Sequence, residues 1–180
     1  MKEAIILAGG RGTRLRSVVS DVPKPMATVA RRPFLLFLLE YLIDNNISRV
    51  ILSVGYKHEQ IINYFGRRFK NLIIDYAIEE SPLGTGGAIR NSLTKIQSSE
   101  VLILNGDTYS KVSVNKLYYY YTNYSPDIAM LIRPSKYKGR YDTIDIDEKY
   151  SIINSNNEQS YINSGMYILN RNWFCLIKLP

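Results

Sequence analysis

Short apolar runs alternate with helical patterns along the first 130 residues of this chain, and this alternation limits the fold more than any other feature. The apolar runs predict strands at residues 4–8, 49–54, 72–76, 101–104 and 128–132. Apolar residues at helical spacing predict helices at residues 34–43, 58–65, 86–96 and 114–121. Strands and helices in alternation form a mostly parallel sheet with helices on both faces. We therefore expect a single α/β domain with a Rossmann-like, mixed sheet.

The pattern changes after residue 134. Residues 143–147 alternate between apolar and polar, which is typical of an edge or antiparallel strand, and residues 166–169 form another short apolar run. A brief last element is expected at residues 173–179. The length of 180 residues matches one domain, which we place at residues 1–180.

Composition excludes several classes of chemistry. Cys175 is the only cysteine and His58 the only histidine, so disulfide frameworks and Cys/His zinc sites are excluded. Ser-His or Cys-His catalysis would have to use His58, which we interpret as a surface residue at the start of a helix. The net charge of +7 favours an anionic partner such as nucleic acid, acidic lipid or a nucleotide. No apolar run is long enough to cross a membrane and no export signal is recognised, so we expect a cytoplasmic protein.

A long loop is predicted at residues 9–33, after the first predicted strand, and it begins with glycines and arginines. Residues 9–16 contain three glycines and three arginines, and Lys24 follows between two prolines. Ligands of open α/β sheets bind at the carboxyl ends of strands, where glycine N–H groups can hold phosphate. The spacing matches neither the dinucleotide-binding pattern nor the P-loop. We interpret the segment as a phosphate site; the alternative is a flexible, basic surface loop.

Two further segments follow predicted strands. Asp107, after the strand at 101–104, suits Mg²⁺ because that ion is commonly held by one or two carboxylates together with phosphate oxygens. The alternative for this Asn-Gly-Asp sequence is an ordinary turn. Glu79 precedes a glycine-rich segment at residues 84–87, and its carboxylate could accept hydrogen bonds from N1–H and the exocyclic amine of guanine. The alternative for Glu79 is a solvated side chain.

Together these segments resemble the sugar-1-phosphate nucleotidyltransferase family. The resemblance rests on four motifs in the expected order, which are Gly-Gly-x-Gly-Thr-Arg-Leu at 9–15, Pro-Lys-Pro-Met at 23–26, Pro-Leu-Gly-Thr-Gly-Gly-Ala at 82–88 and Leu-Asn-Gly-Asp-Thr at 104–108. Within the family, the chain is most similar to D-glycero-α-D-manno-heptose 1-phosphate guanylyltransferases. The resemblance implies a Mg²⁺-dependent transfer of a nucleotidyl group, with GTP and that heptose phosphate as the expected substrates and pyrophosphate as the leaving product.

The resemblance also implies roles for individual residues. The expected catalytic residues are Arg14, Lys24 and Asp107, of which Asp107 binds the metal. The expected nucleotide-binding residues are Leu7, Ala8, Gly9, Gly10, Gly12, Thr13, Glu79, Gly84 and Thr85. The expected sugar-binding residues are Asn105, Gly106, Tyr141, Glu158 and Asn163. Residues 1–110 would then form a nucleotide-binding half, and residues 111–180 a sugar-phosphate half.

The second half departs from the family pattern and keeps other functions open. Asp142 stands where related chains have a glycine, and Gln159 where they have a lysine. A later Asp-x-Gly segment that supplies a second metal carboxylate is missing, so the chain reads as shortened at its C-terminus; Asp142 and Asp145 are candidate substitutes. The alternatives are a nucleotide-binding protein or subunit with little or no transferase activity, and an enzyme for another sugar such as mannose 1-phosphate. No nucleic-acid-binding motif is present, no membrane partner is expected, and a homo-oligomer is left open.

Overall fold

A seven-stranded mixed sheet forms the centre of the protein in a computed structural model that describes residues 1–10, 22–134, 143–153 and 161–178. The strands are β1 (Glu3–Leu7), β2 (Thr28–Val29), β3 (Arg32–Pro33), β4 (Arg49–Val54), β5 (Arg68–Phe69), β6 (Leu72–Ile78), β7 (Glu100–Asn105), β8 (Ile128–Pro134), β9 (Asp145–Ile146), β10 (Ile152–Ile153) and β11 (Tyr161–Asn170). The helices are α1 (Phe34–Asp44), α2 (His58–Phe65), α3 (Gly84–Leu93), α4 (Val114–Tyr124) and α5 (Arg171–Leu176), with a 3-10 turn at Lys24–Met26.

The sheet order is β5-β6-β4-β1-β7-β11-β8. β1, β4, β6 and β7 pair in parallel, whereas β5 and β11 run against this parallel core, and β8 pairs antiparallel with β11. The expected α/β domain with a mixed, mostly parallel sheet is therefore confirmed.

Two apolar layers cover the sheet, one on each face. Side chains alternate along a strand, so Ala4 and Ile6 of β1 face one layer and Ile5 faces the other. The first layer is formed with α1, α2 and α4, and the second with α3 and α5. Burial on both faces explains why the central strands are continuous apolar runs. Across the described ranges, no helix combines the length and apolar character that a membrane crossing requires.

The structure corrects the sequence prediction in three places. The predicted loop at 9–33 contains the 3-10 turn and a small β2–β3 hairpin, whose turn residues Ala30 and Arg31 have positive φ angles of 48° and 63°. The strand predicted at 143–147 is reduced to β9 with a bridge between Ile144 and Tyr161. β11 is a ten-residue strand rather than four, with a register shift between Asn163 and Tyr167.

The parallel strands position the site. Their carboxyl ends lie side by side at one edge of the sheet, where Leu7, Val54, Ile78 and Asn105 are the last strand residues. The residues that follow these ends meet there, as in other open α/β sheets.

Candidate functional site

A cavity of about 610 Å³ opens at the carboxyl ends of the parallel strands. Its walls come from the segments after β1, β4, β6 and β7 and from the start of α3. The lining residues are Leu7, Gly9, Gly10, Gly55, Tyr56, His58, Ile78, Glu79, Glu80, Ser81, Pro82, Gly84, Thr85, Ala88, Asn105 and Asp107. A volume of this size accommodates a nucleotide-sized ligand.

Backbone hydrogen bonds join the neighbouring strand ends beside the cavity. The Ala8 N–H donates to the Ser53 carbonyl oxygen at 2.7 Å, and the Gly106 N–H donates to the Leu7 carbonyl oxygen at 2.9 Å. A Cβ atom on Gly106 would lie 2.5 Å from the Leu7 carbonyl oxygen, so only glycine fits. Gly106 does not line the cavity among the described residues, and the structure gives it a packing contact with the β1 end.

Glu79 stands in the cavity wall directly after β6. Its main-chain N–H donates to the Val54 carbonyl oxygen at 2.8 Å, and its carboxylate accepts from the Ser53 hydroxyl at 2.9 Å. The Leu83 N–H makes a longer contact of 3.4 Å to the second carboxylate oxygen. The side chain is half-buried rather than fully solvated. Its hydrogen bonds therefore hold the carboxylate in the cavity wall, where it is accessible to a ligand.

Lys24 and Asp107 form an ion pair across 83 residues of sequence. Lys24 opens the 3-10 turn, and the buried Pro25 anchors that turn in the fold. Asp107 follows β7, and its other oxygen accepts from the Thr108 hydroxyl at 3.1 Å. The exposed fractions of the two side chains, 32% and 39%, leave both charges accessible to a ligand. A cation and a carboxylate thus stand together at the cavity that Asp107 lines.

The carboxylate chemistry here suits a divalent cation shared with a ligand. No cluster of three or more His, Cys, Asp or Glu side chains occurs within the described ranges, so these residues form no all-protein metal cage. Asp107 offers a single carboxylate at the mouth of a cavity, and a hard cation such as Mg²⁺ is typically bound by one or two carboxylates with phosphate oxygens and water. Asp145 is buried in β9 and does not line the cavity.

Tyr41 of α1 contacts the segment that follows Asp107. The Tyr41 hydroxyl donates to the Val112 carbonyl oxygen at 2.5 Å, and its ring packs edge-on against Tyr109 with centroids 6.0 Å apart. Burial, with a smaller effect of Tyr109, raises the pKa of Tyr41 to about 12. The phenol therefore remains protonated and keeps donating to the loop over the physiological pH range.

The first residues of α3 complete the cavity wall. Gly84 has a φ angle of 67°, a left-handed conformation that favours glycine, and Thr85 follows it into the helix. Both residues line the cavity. Free N–H groups at the first turn of a ten-residue helix favour an anionic or strongly polar ligand there.

Sequence reasoning did not name eight of the residues that line the wall, and among them are three with polar or aromatic side chains just after a strand end. Tyr56, His58 and Glu80 all line the cavity. His58 does begin α2, as predicted, but its side chain is only 27% exposed and its Nδ1 lies 3.1 Å from the Gly55 carbonyl oxygen. Their common signal is position, since each lies just beyond the carboxyl end of a parallel strand.

The second half of the chain reaches the site through β11. Gly165, with a φ angle of 71°, packs against the side chain of Asn105, where an added Cβ would come within 2.9–3.1 Å. Asn163 accepts from the Gly165 N–H at 2.7 Å and donates to the Tyr167 hydroxyl, but it does not line the cavity. Five predicted site residues lie outside the described residues, namely Gly12, Thr13, Arg14, Tyr141 and Glu158, as do Asp142 and Gln159.

Comparison with known proteins finds a family model and similar proteins that cover most of this chain. A family model described as nucleotidyl transferase matches residues 3–179. A D-glycero-alpha-D-manno-heptose 1-phosphate guanylyltransferase from Aneurinibacillus thermoaerophilus is 43% identical over 172 residues, which cover 94% of this chain and 75% of that protein. A protein of the same name from Campylobacter jejuni is 42% identical over 176 residues, covering 96% of this chain and 77% of its own length.

A solved structure shows the same architecture. The crystal structure of HddC from Yersinia pseudotuberculosis complexed with GMP-PN superposes with a TM-score of 0.82 at 37% sequence identity. The superposition covers 99% of this chain and 81% of that one. The resemblance predicted from the four sequence motifs is therefore confirmed at the level of both sequence and fold.

Proposed function

This chain belongs to the nucleotidyl transferase family, and we propose that it transfers a guanylyl group from GTP to D-glycero-α-D-manno-heptose 1-phosphate. The products would be the GDP-sugar and pyrophosphate. The sequence identities of 43% and 42% to two proteins named for this activity support the choice of base and sugar. The GMP-PN complex of HddC supports a guanine nucleotide as the ligand of the cavity.

The single observation that carries the proposal is the Lys24–Asp107 ion pair at the cavity that Asp107 lines. Nucleotidyl transfer from a triphosphate requires a cation for the phosphate oxygens and a carboxylate for a divalent metal. Lys24 and Asp107 supply these two groups from distant segments of the chain. When the nucleotide binds, Lys24 exchanges its contact with Asp107 for a phosphate oxygen. Arg14, Gly12 and Thr13 of the glycine loop would hold the remaining phosphates.

The reaction needs positioning and charge neutralisation more than a base. The attacking oxygen of a sugar 1-phosphate is already ionised, so in-line attack on the α-phosphorus requires no proton transfer to the enzyme. A bound Mg²⁺ ion would supply charge neutralisation of the phosphates, and Asp107 is the residue that would hold it. Lys24 would stabilise the negative charge that develops as pyrophosphate leaves.

Different residues of the cavity wall would contact the base and the sugar. Glu79 would accept from N1–H and the 2-amino group of guanine, with Gly84 and Thr85 lying against the base or ribose. Asn105 belongs to the nucleotide-binding half at residues 1–110 and packs against Gly165 of β11, and it would face the ribose or the sugar. Tyr141, Glu158 and Asn163 of the second half remain the predicted sugar contacts. Because GTP is a cytoplasmic metabolite, we place the reaction in that compartment.

Pyrophosphate release tests the proposal. Purified protein with Mg²⁺ would receive GTP, ATP, CTP or UTP in turn, each with the heptose 1-phosphate or with mannose 1-phosphate. Release with GTP and the heptose phosphate alone is the expected result. Release with another pair would replace the assigned substrates, and calorimetric binding of GTP without release from any pair would show a nucleotide-binding protein and overturn the transferase assignment.

A further inference from the structure

We propose that Ser53 is a positioning residue that fixes the Glu79 carboxylate for recognition of the guanine base. The inference rests on the proposed function, because it concerns how that same cavity would choose its nucleotide. It adds to the site a residue that does not line the cavity among the described residues.

Ser53 lies between the two strands whose ends form the nucleotide side of the cavity. In the register of the sheet it stands beside Leu7 of β1 and Ala77 of β6, and its exposed fraction is 0%. Its carbonyl oxygen accepts from the Ala8 N–H at 2.7 Å, and its hydroxyl donates to Oε1 of Glu79 at 2.9 Å. One residue therefore fixes both the start of the glycine loop and the carboxylate opposite it.

Ser53 is a buried polar residue within an otherwise apolar part of β4. β4 is otherwise made of buried apolar residues after Arg49, and a fully buried hydroxyl is costly unless it is hydrogen-bonded. Its bond to Glu79 removes that cost and joins a buried group to one that faces the cavity. Packing alone would be satisfied by alanine or valine, so the hydroxyl is explained by the carboxylate it holds.

Gly9 confines the same carboxylate from the other side. A Cβ on Gly9 would lie 2.6 Å from Oε1 of Glu79, so the carboxylate occupies the space that any larger residue would fill. With Oε1 bonded to Ser53, the only contact of the second oxygen among the described residues is the one of 3.4 Å with the Leu83 N–H. That oxygen retains accepting capacity for a ligand that brings donors.

A fixed carboxylate discriminates between purines by its lack of donors. Guanine presents N1–H and the 2-amino group at one edge, whereas adenine presents an unprotonated N1 that a carboxylate repels. Inosine keeps N1–H but lacks the 2-amino group. If the carboxylate rotates freely, it no longer meets both guanine donors at once, and preference for GTP over ITP falls.

Steady-state kinetics with GTP and ITP would test this role. We expect Ser53→Ala to raise KM for GTP about five- to tenfold, with a smaller rise for ITP and little change in kcat, because the base lies away from the reacting phosphorus. Ser92→Ala is the matched control. Ser92 is equally buried, but its hydroxyl donates to Ala88 within α3 at 2.9 Å, so its removal should leave the GTP-to-ITP ratio unchanged.

A double substitution separates positioning from a general loss of structure. If Ser53 acts through Glu79, then Ser53→Ala added to Glu79→Gln should cause no further loss of the GTP-to-ITP preference. Ser53→Thr retains the hydroxyl and should keep more of the preference than Ser53→Ala. An unchanged GTP-to-ITP ratio in Ser53→Ala, or independent effects of the two substitutions, would overturn the proposal.

The same experiment distinguishes this proposal from the proposed function. If the unmodified protein neither binds nor uses GTP, the function itself has failed. If it prefers GTP and Glu79→Gln abolishes that preference while Ser53→Ala preserves it, the function stands and the positioning role of Ser53 is wrong.

Discussion

Two glutamates at opposite ends of the sheet differ in role, since one serves the structure and the proposed function gives the other a role in recognition. Glu3 begins β1, and Glu79 follows β6. Their surroundings differ chiefly in how completely each carboxylate is hydrogen-bonded.

At the amino end, the Glu3 carboxylate is 8% exposed and fully engaged. It accepts from the Gln97 N–H at 2.9 Å, from the Ser98 N–H and hydroxyl at 2.7 and 2.6 Å, and from the Arg49 guanidinium at 2.6 Å. Arg49 also donates to Asp75 at 2.7 and 2.9 Å, which ties β1, β4 and β6 together. Both oxygens are thus hydrogen-bonded by the protein, Oε1 once and Oε2 three times, as expected for a carboxylate whose role is to hold strands.

At the carboxyl end, the part of the chain that the structure describes satisfies the charged groups only partly. Glu79 has one short hydrogen bond, and Lys24 and Asp107 are each about one-third exposed while they pair with one another. A carboxylate that is held by one hydrogen bond beside a cavity is available to a ligand. A carboxylate whose two oxygens are both hydrogen-bonded within the protein is not. Substitutions at the two ends should therefore separate activity from stability.

Removal of the Lys24 ammonium group should have the largest effect. In Lys24→Ala we expect kcat/KM for nucleotidyl transfer to fall by about 10²–10³-fold, since a cation aimed at developing phosphate charge contributes that much. The free energy of unfolding should change by less than about 1 kcal/mol, because the pair with Asp107 is partly exposed. Pyrophosphate release and urea unfolding measure the two quantities.

Lys116→Ala provides the matched control for Lys24→Ala. Lys116 is exposed on α4, away from the residues that line the cavity, so its removal should leave both measurements unchanged. Equal turnover in Lys24→Ala and the unmodified protein would remove Lys24 from the catalytic machinery.

The second effect in size lies at the other end of the sheet. Glu3→Ala should lower the free energy of unfolding by about 2–4 kcal/mol, because it removes one of the two carboxylates that Arg49 pairs with and leaves two main-chain N–H groups without their acceptor. Below the new unfolding transition, KM and kcat should match those of the unmodified protein. A stability loss under half a kcal/mol, or an altered KM, would contradict the division between the two ends.

A third prediction contrasts two glycines at the carboxyl end. Gly106→Ala should destabilise the fold by about 1–3 kcal/mol, since its Cβ would meet the rigid backbone at Leu7. Gly10→Ala meets nothing within 4 Å and should leave the unfolding transition unchanged. Urea unfolding of both variants tests the contrast, and equal stabilities would show that the β1 and β7 ends can separate at little cost.

The fold was predictable where the signal is local. The bounds predicted for β4 and α2 agree with the structure, because a buried apolar run and an apolar face at helical spacing each set their own limits. The β2–β3 hairpin was missed, since Ala30 and Arg31 adopt positive φ angles without the usual Gly or Asn. The full length of β11 was missed too, because the bulge near Gly165 interrupts its pattern.

The sequence motifs name Lys24, Glu79 and Asp107, and the structure places Glu79 and Asp107 in the cavity wall and Lys24 beside Asp107. Ser53 was not predictable, because a serine within an apolar strand carries no signal until the sheet register places it beside Glu79. The same holds for His58, whose position in the cavity wall depends on how α2 follows β4. Contacts between distant segments are the part of a site that single-sequence patterns omit.

The smallest predicted effect concerns pH and again separates the two ends. Burial raises the pKa of the Glu3 carboxyl, but the hydrogen bonds from Ser98, Gln97 and Arg49 together outweigh it and hold that pKa below its ordinary value of 4.5. A depressed carboxyl pKa stabilises the fold above the ordinary value, and the contribution is lost as pH falls through the lower pKa of the folded state. The difference in unfolding free energy between the unmodified protein and Glu3→Ala should therefore be constant from pH 7 to about 5.5 and narrow below about 4.5. Urea unfolding at half-unit steps of pH would show this, and a gap that widens on acidification would mean that Glu3 is protonated in the folded protein, against the saturated ion pair that the structure shows.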